Sequence, residues 1–141
     1  MTRVDFYLLQ NLQPMLRYRI ACRITEKAYN LGHRVHIHTD SPDISRQIDN
    51  LLWSFRDRSF IPHEIEPEEP EHCPVSIGHG WLPEQCEVLV NLAAEVPEFL
   101  NRFARVVEII DQQEETRDSG RKRYRFYRDA GFPLTHHKVT P

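Results

Sequence analysis

Short, continuously apolar runs alternate along this chain with longer stretches whose apolar residues recur every three or four positions. Residues 4–9, VDFYLL, are the first such run and predict a buried strand. Leu16, Ile20, Ile24, Ala28 and Leu31 then recur at helical spacing, with Pro14 suited to the first helical position and Gly32 to a left-handed stop. A short strand is expected over 34–39. Ser41, Pro42 and Asp43 make a strong helix start: a capping hydroxyl, a proline at the first position and an acid in the first turn. Ile44, Ile48, Leu51, Leu52 and Phe55 fall within an arc of about 100°, the core face of a second helix.

Beyond it the signals shorten. FIPHEI (60–65) suits a short strand or an extended loop. EPEEPEHCP (66–74) reads as an acidic surface loop, because prolines and like charges both oppose regular structure. VSIGHG (75–80), EVLVNL (87–92) and RVVEII (105–110) predict strands, with a short helix over 98–102. A last helix is expected from about 113 to 130, with Phe126 and Tyr127 pointing inward and Gly131 and Pro133 ending it. Residues 133–141 are expected as a flexible tail. This order predicts an α/β fold in one domain, a mostly parallel sheet with helices on both faces.

The composition fits a globular domain: 141 residues, 40% hydrophobic and 10% aromatic. A formal net charge of -3 does not suggest a nucleic-acid or membrane binder on average. No apolar run is long enough to span a membrane, and the opening MTRVDFYLLQ does not read as a secretory signal. Cys22, Cys73 and Cys86 are odd in number and widely spaced, which suits reduced thiols in a cytoplasmic protein.

The fold class raises the question of a nucleotide. The first strand-to-helix turn, QNLQP, has no glycine to let backbone amides approach a pyrophosphate, and no phosphate-binding loop motif occurs. Asp40 alone stands where a ribose-binding acid would. His72, Cys73, His79 and Cys86 match no closed zinc spacing, so neither metal nor cofactor is expected. His36 and His38 share a strand face, where packing and local hydrogen bonds account for them. No catalytic set emerges from spacing.

Two features ask for a partner. Trp53 lies about 180° from the core face of its helix. It is either an interface anchor, with Phe60, Ile61 and Pro62 completing an apolar patch, or is covered within the monomer. The last helix crowds Arg117, Arg121, Lys122, Arg123, Arg125 and Arg128 into an otherwise acidic chain. Arg121, Tyr124, Arg125 and Arg128 stand at i, i+3, i+4 and i+7 and share one face. Such a face suits an acidic peptide ending in an aromatic residue, or nucleic-acid phosphates; it also suits plain solvation.

With these features in place, LLWSFRDRSFIPHEI and RKRYRFYRDAGFPL, together with the opening DFYLL and the GHRVHI strand, resemble the chi subunit family of the bacterial DNA polymerase III holoenzyme. The resemblance spans nearly the whole chain. It implies a Rossmann-like three-layer domain without nucleotide binding. It also implies a non-catalytic adaptor, linking the clamp loader through the psi subunit to the acidic C-terminal tail of single-stranded-DNA-binding protein. The tail-binding motif falls on Arg121, Tyr124, Arg125 and Arg128, and the psi-binding motif on Trp53, Phe60 and Pro62. Some relatives carry Val-Pro where this chain has Ile110-Asp111, a departure expected to touch the psi side. DNA contact would be indirect and no membrane is involved. The alternative is a single-stranded nucleic-acid-binding module using the basic C-terminal helix.

Overall fold

A computed structural model describes residues 2–10, 13, 15–55, 60–98 and 100–139. Pro14, expected to open the first helix, and residues 56–59 of the Trp53 segment lie outside the described residues.

The strands are β1 (Arg3–Leu9), β2 (Val35–Thr39), β3 (His63–Ile65), β4 (Val75–His79), β5 (Val88–Asn91), β6 (Arg105–Ile110) and β7 (Leu134–Val139). The helices are α1 (Leu16–Asn30), α2 (Pro42–Ser54) and α3 (Glu114–Asp129), with 3₁₀ turns at Pro70–His72 and Leu100–Arg102. One seven-stranded sheet runs in the order β3-β4-β2-β5-β6-β1-β7, and every pairing is parallel. The expected α/β class and Rossmann-like layering are therefore present, with the sheet wholly parallel. No helix of the described residues is long and apolar enough to cross a membrane.

Local chemistry explains the helix ends. Ser41 Oγ accepts the Ile44 N–H at 3.2 Å at the start of α2, with Pro42 in the first turn. Gly131 follows α3 at φ 85°, and the Phe132 N–H reaches back to the Tyr127 carbonyl at 3.0 Å. The helices sort to two faces. Ile20, Ala21 and Ala28 of α1 and Ile48 and Leu52 of α2 pack on Leu9, Ile37, Ile77, Val90 and Ile109. Tyr127 of α3 packs on Val4, Phe6, Leu89, Val106 and Ile110 on the other. Burial of such side chains contributes roughly 1.5–3 kcal/mol each.

Three expectations are corrected. The tail placed at 133–141 instead contains β7, whose residues Leu134–Val139 pair with Val4–Leu9 of β1. It is an edge strand with no fully buried residue, so backbone pairing, not apolar alternation, holds it. The acidic loop contains a 3₁₀ turn at Pro70–His72, where Arg34 Nη1 donates to the Pro70 carbonyl at 3.1 Å. Phe126 is 49% exposed while Tyr127 is fully buried, because the inward stripe of α3 runs through Gly120, Arg123 and Tyr127.

His36 and His38 project from β2 onto the face that α1 and α2 do not cover. There the loop after β4 closes over His36, with the Trp81 ring 5.2 Å away and Ser76 Oγ 2.7 Å from Nδ1. Burial, with a smaller contribution from His38, lowers the His36 pKa to about 3, so the ring is neutral.

Candidate functional site

A groove of about 440 Å³ opens between α3 and the carboxyl ends of β1 and β6. Its floor is apolar: Phe6 and Leu8 from β1 and Ile110 from β6. α3 comes down close to this floor at Gly120, where a Cβ would stand 2.4 Å from Ile110 Cδ1. The wall on the α3 side is cationic, formed by Arg117, Arg121, Arg125 and Arg128 around the half-buried Tyr124. His136 of β7 closes the opposite side, its ring 5.9 Å from Phe6 and 5.4 Å from Tyr124.

Thus Arg121, Tyr124, Arg125 and Arg128, picked by helical spacing, line one groove together. Arg117 continues that face one turn earlier; its Nε is buried with no hydrogen-bond partner among the described residues. Arg121 and Arg128 lean on exposed acids of their own helix, at 3.9 Å to Asp118 and 3.2 Å to Asp129. Exposed pairs of this kind hold their cations weakly, at about 0–1 kcal/mol, and leave them open to a competing carboxylate. Ile110 and Asp111, the departure expected to touch the psi side, both line this groove.

A buried network sets the position of α3. Glu108 of β6 is fully buried and takes Arg123 Nε at 2.9 Å, Tyr127 Oη at 2.7 Å and Asn91 Nδ2 at 2.9 Å. Arg123 Nη1 also donates to the Ala94 carbonyl at 2.8 Å and to Ser119 Oγ. Burial, then the Glu108 charge, raises the Tyr127 pKa, keeping its hydroxyl protonated as the donor. Arg123 therefore belongs to the fold, while Arg121, Tyr124 and Arg125 face the groove.

The second feature lies on α2. Trp53 is 50% exposed and Phe60 74% exposed, their rings 5.6 Å apart, with Pro62 exposed beside them. The monomer covers only half of Trp53; Ile61, also expected in the patch, is buried in the core instead. His63 backs the Trp53 ring at 4.4 Å; its Nδ1 lies 2.6 Å from the Ile61 carbonyl and its Nε2 3.2 Å from Asp49 Oδ1. This ties the segment carrying Phe60 and Pro62 to α2.

The remaining candidates have local roles. Asp40 accepts the Ala94 N–H at 2.9 Å. Cys73 Sγ donates to the Val75 carbonyl and Cys86 Sγ to that of Arg34, and burial pushes the Cys86 thiol up to about 12. Among the described residues, no three His, Cys, Asp or Glu side chains stand together as a metal site.

Fold and site together define a Rossmann-like α/β domain with an arginine-walled groove on one face of its sheet and an exposed tryptophan patch on the other. The family model described as DNA polymerase III chi subunit, HolC, matches residues 1–135, and the chain belongs to that family. It is 39% identical over 140 residues to the DNA polymerase III subunit chi of Pseudomonas aeruginosa, covering 99% of this chain and 98% of that one. It is 28% identical over 143 residues to the chi subunit of Escherichia coli, covering 95% and 96%. Among solved structures, the crystal structure of T4 UvsW matches with a TM-score of 0.68 at 10% identity. That match covers 98% of this chain but 41% of UvsW, and shows the fold alone.

Proposed function

We propose that this chain is a non-catalytic adaptor of the replicative DNA polymerase III holoenzyme, with its α3 groove receiving the acidic C-terminal tail of single-stranded-DNA-binding protein. The observation that carries the reading is the pairing of an apolar floor, Phe6, Leu8 and Ile110, with a wall of arginines. A terminal aromatic side chain suits the floor, and guanidinium forks suit the carboxylates around it. The Trp53, Phe60 and Pro62 patch is assigned to the psi subunit, which would link this chain to the clamp loader. In this reading the protein is cytoplasmic, joins the nucleoid through the replisome, and meets DNA only through its partners.

The test is a titration of a fluorescent acidic peptide ending in Asp-Ile-Pro-Phe. Wild type binds it, binding weakens as salt shortens the screening length below roughly 8–10 Å, and Arg121→Ala/Tyr124→Ala abolishes it. Arg128→Glu weakens it without unfolding the domain. Failure of folded wild type to bind, or normal binding by the double variant, would remove the assignment. The alternative, direct binding of single-stranded nucleic acid, draws on the same arginines and Tyr124. Their convergence on an apolar-floored groove favours a peptide end over a continuous phosphate backbone. A gel shift with single-stranded oligonucleotide and protein alone separates the two.

A further inference from the structure

We infer that His136 is a further ligand-contacting residue of the α3 groove and makes its grip on an acidic peptide tighten as pH falls. The inference rests on the peptide-binding reading of that groove. His136 stands on β7 at the register position of Phe6, so both point to the α3 side of the sheet. Its ring lies nearly parallel to Phe6, at 22° and 5.9 Å, and tilts against Tyr124 at 5.4 Å. His136 is exposed and forms the side of the groove facing α3. The two walls therefore differ in kind: permanently charged guanidinium groups on α3, and on β7 an imidazole, the side-chain type that serves as a proton-linked switch near neutral pH.

The charged groups around His136 come from each neighbouring element. α3 presents Arg117, Arg121, Arg125 and Arg128, and Asp111 follows β6 at the end of the floor. On β7 itself, Lys138 is exposed, while His137 turns to the other face, stacked on Tyr7 at 4.6 Å with Nε2 3.9 Å from Asp5. None of the arginines changes charge in the physiological range. A ligand carboxylate beside His136 and a proton on its ring favour one another, and the coupling is reciprocal.

The experiment is the Asp-Ile-Pro-Phe peptide titration at about pH 8 and about pH 5.5, both above the range where the peptide carboxylates titrate. Circular dichroism is recorded at each pH. Wild type binds about two- to fivefold more tightly at the lower pH, the range of one exposed charge pair. His136→Gln flattens this dependence, and His137→Gln keeps it. His136→Arg, charged throughout, binds at the higher pH as tightly as wild type does at the lower. Equal slopes in wild type and His136→Gln, or a wild-type affinity that does not change, overturn the inference and leave the groove assignment standing. Absence of peptide binding by folded wild type at either pH overturns both.

Discussion

At the scale of single residues, His36 shows how a titratable group becomes part of a core. It lies fully buried between the Trp81 ring and Ser76, and burial holds its pKa near 3 against an ordinary 6.5. Between these values the unfolded chain binds a proton that the folded chain does not. Stability therefore rises with pH through this window and is lost as pH falls below about 6.5. Burial pushes His38 in the same direction. Urea unfolding of the wild type should show a loss of about 1–2 kcal/mol between about pH 6.5 and pH 5. The non-titrating His36→Asn variant should lose less over the same interval. Identical losses in the two proteins would mean that another group drives the acid response.

At the scale of elements, α3 is held to the sheet by a charge pair and not by apolar packing alone. Breaking a buried pair from one side leaves an uncompensated charge, which costs about 3–5 kcal/mol. Glu108→Ala should therefore lower stability by about that much, read as a reduced urea midpoint. Joint replacement of Glu108 and Arg123 by methionine should cost less than Glu108→Ala alone. If the double variant is the less stable, the pair contributes more than its own compensation. The same helix shows what the sequence could and could not reveal. The arginine face was legible because i, i+3, i+4 and i+7 neighbours are set by helix geometry alone. Arg123 was not separable from them, since only Glu108, fifteen residues earlier on another element, makes it a core residue. Phe126 was misplaced because hydrophobicity says nothing about a stripe only as wide as Gly120, Arg123 and Tyr127. The groove floor could not be read, because Phe6 meets α3 only through the fold. His136 was assigned to a tail because LTHHKV lacks an apolar rhythm; its strand exists through pairing with β1 across most of the chain's length. Five strands and all three helices were legible, each carrying its own periodicity or cap, and FIPHEI stayed open between strand and loop until β3 resolved it.

At the scale of the molecule, the sheet separates the two proposed surfaces. Trp53 belongs to α2, on the face shared with α1, and the arginine wall belongs to α3 on the other. Among the described residues they share no side chain, and Trp53 contacts Phe60 and His63, neither of which borders the groove. Sites on opposite faces of the sheet with no common partner are expected to behave additively. An adaptor needs that arrangement, because a partner that excluded the other could not be linked to it. Purified psi subunit and the labelled acidic peptide should therefore bind one molecule of this protein together, each affinity changing less than about twofold when the other site is filled. Trp53→Ala should abolish psi binding with peptide affinity intact, and Arg128→Glu should do the reverse. Size-exclusion chromatography with peptide fluorescence detection reads both at once. Comigration of the peptide with the psi complex supports a bridge. Displacement of the peptide by psi, or loss of both partners from folded Trp53→Ala protein, would mean one shared surface and would end the adaptor reading, whatever the affinity of either site alone.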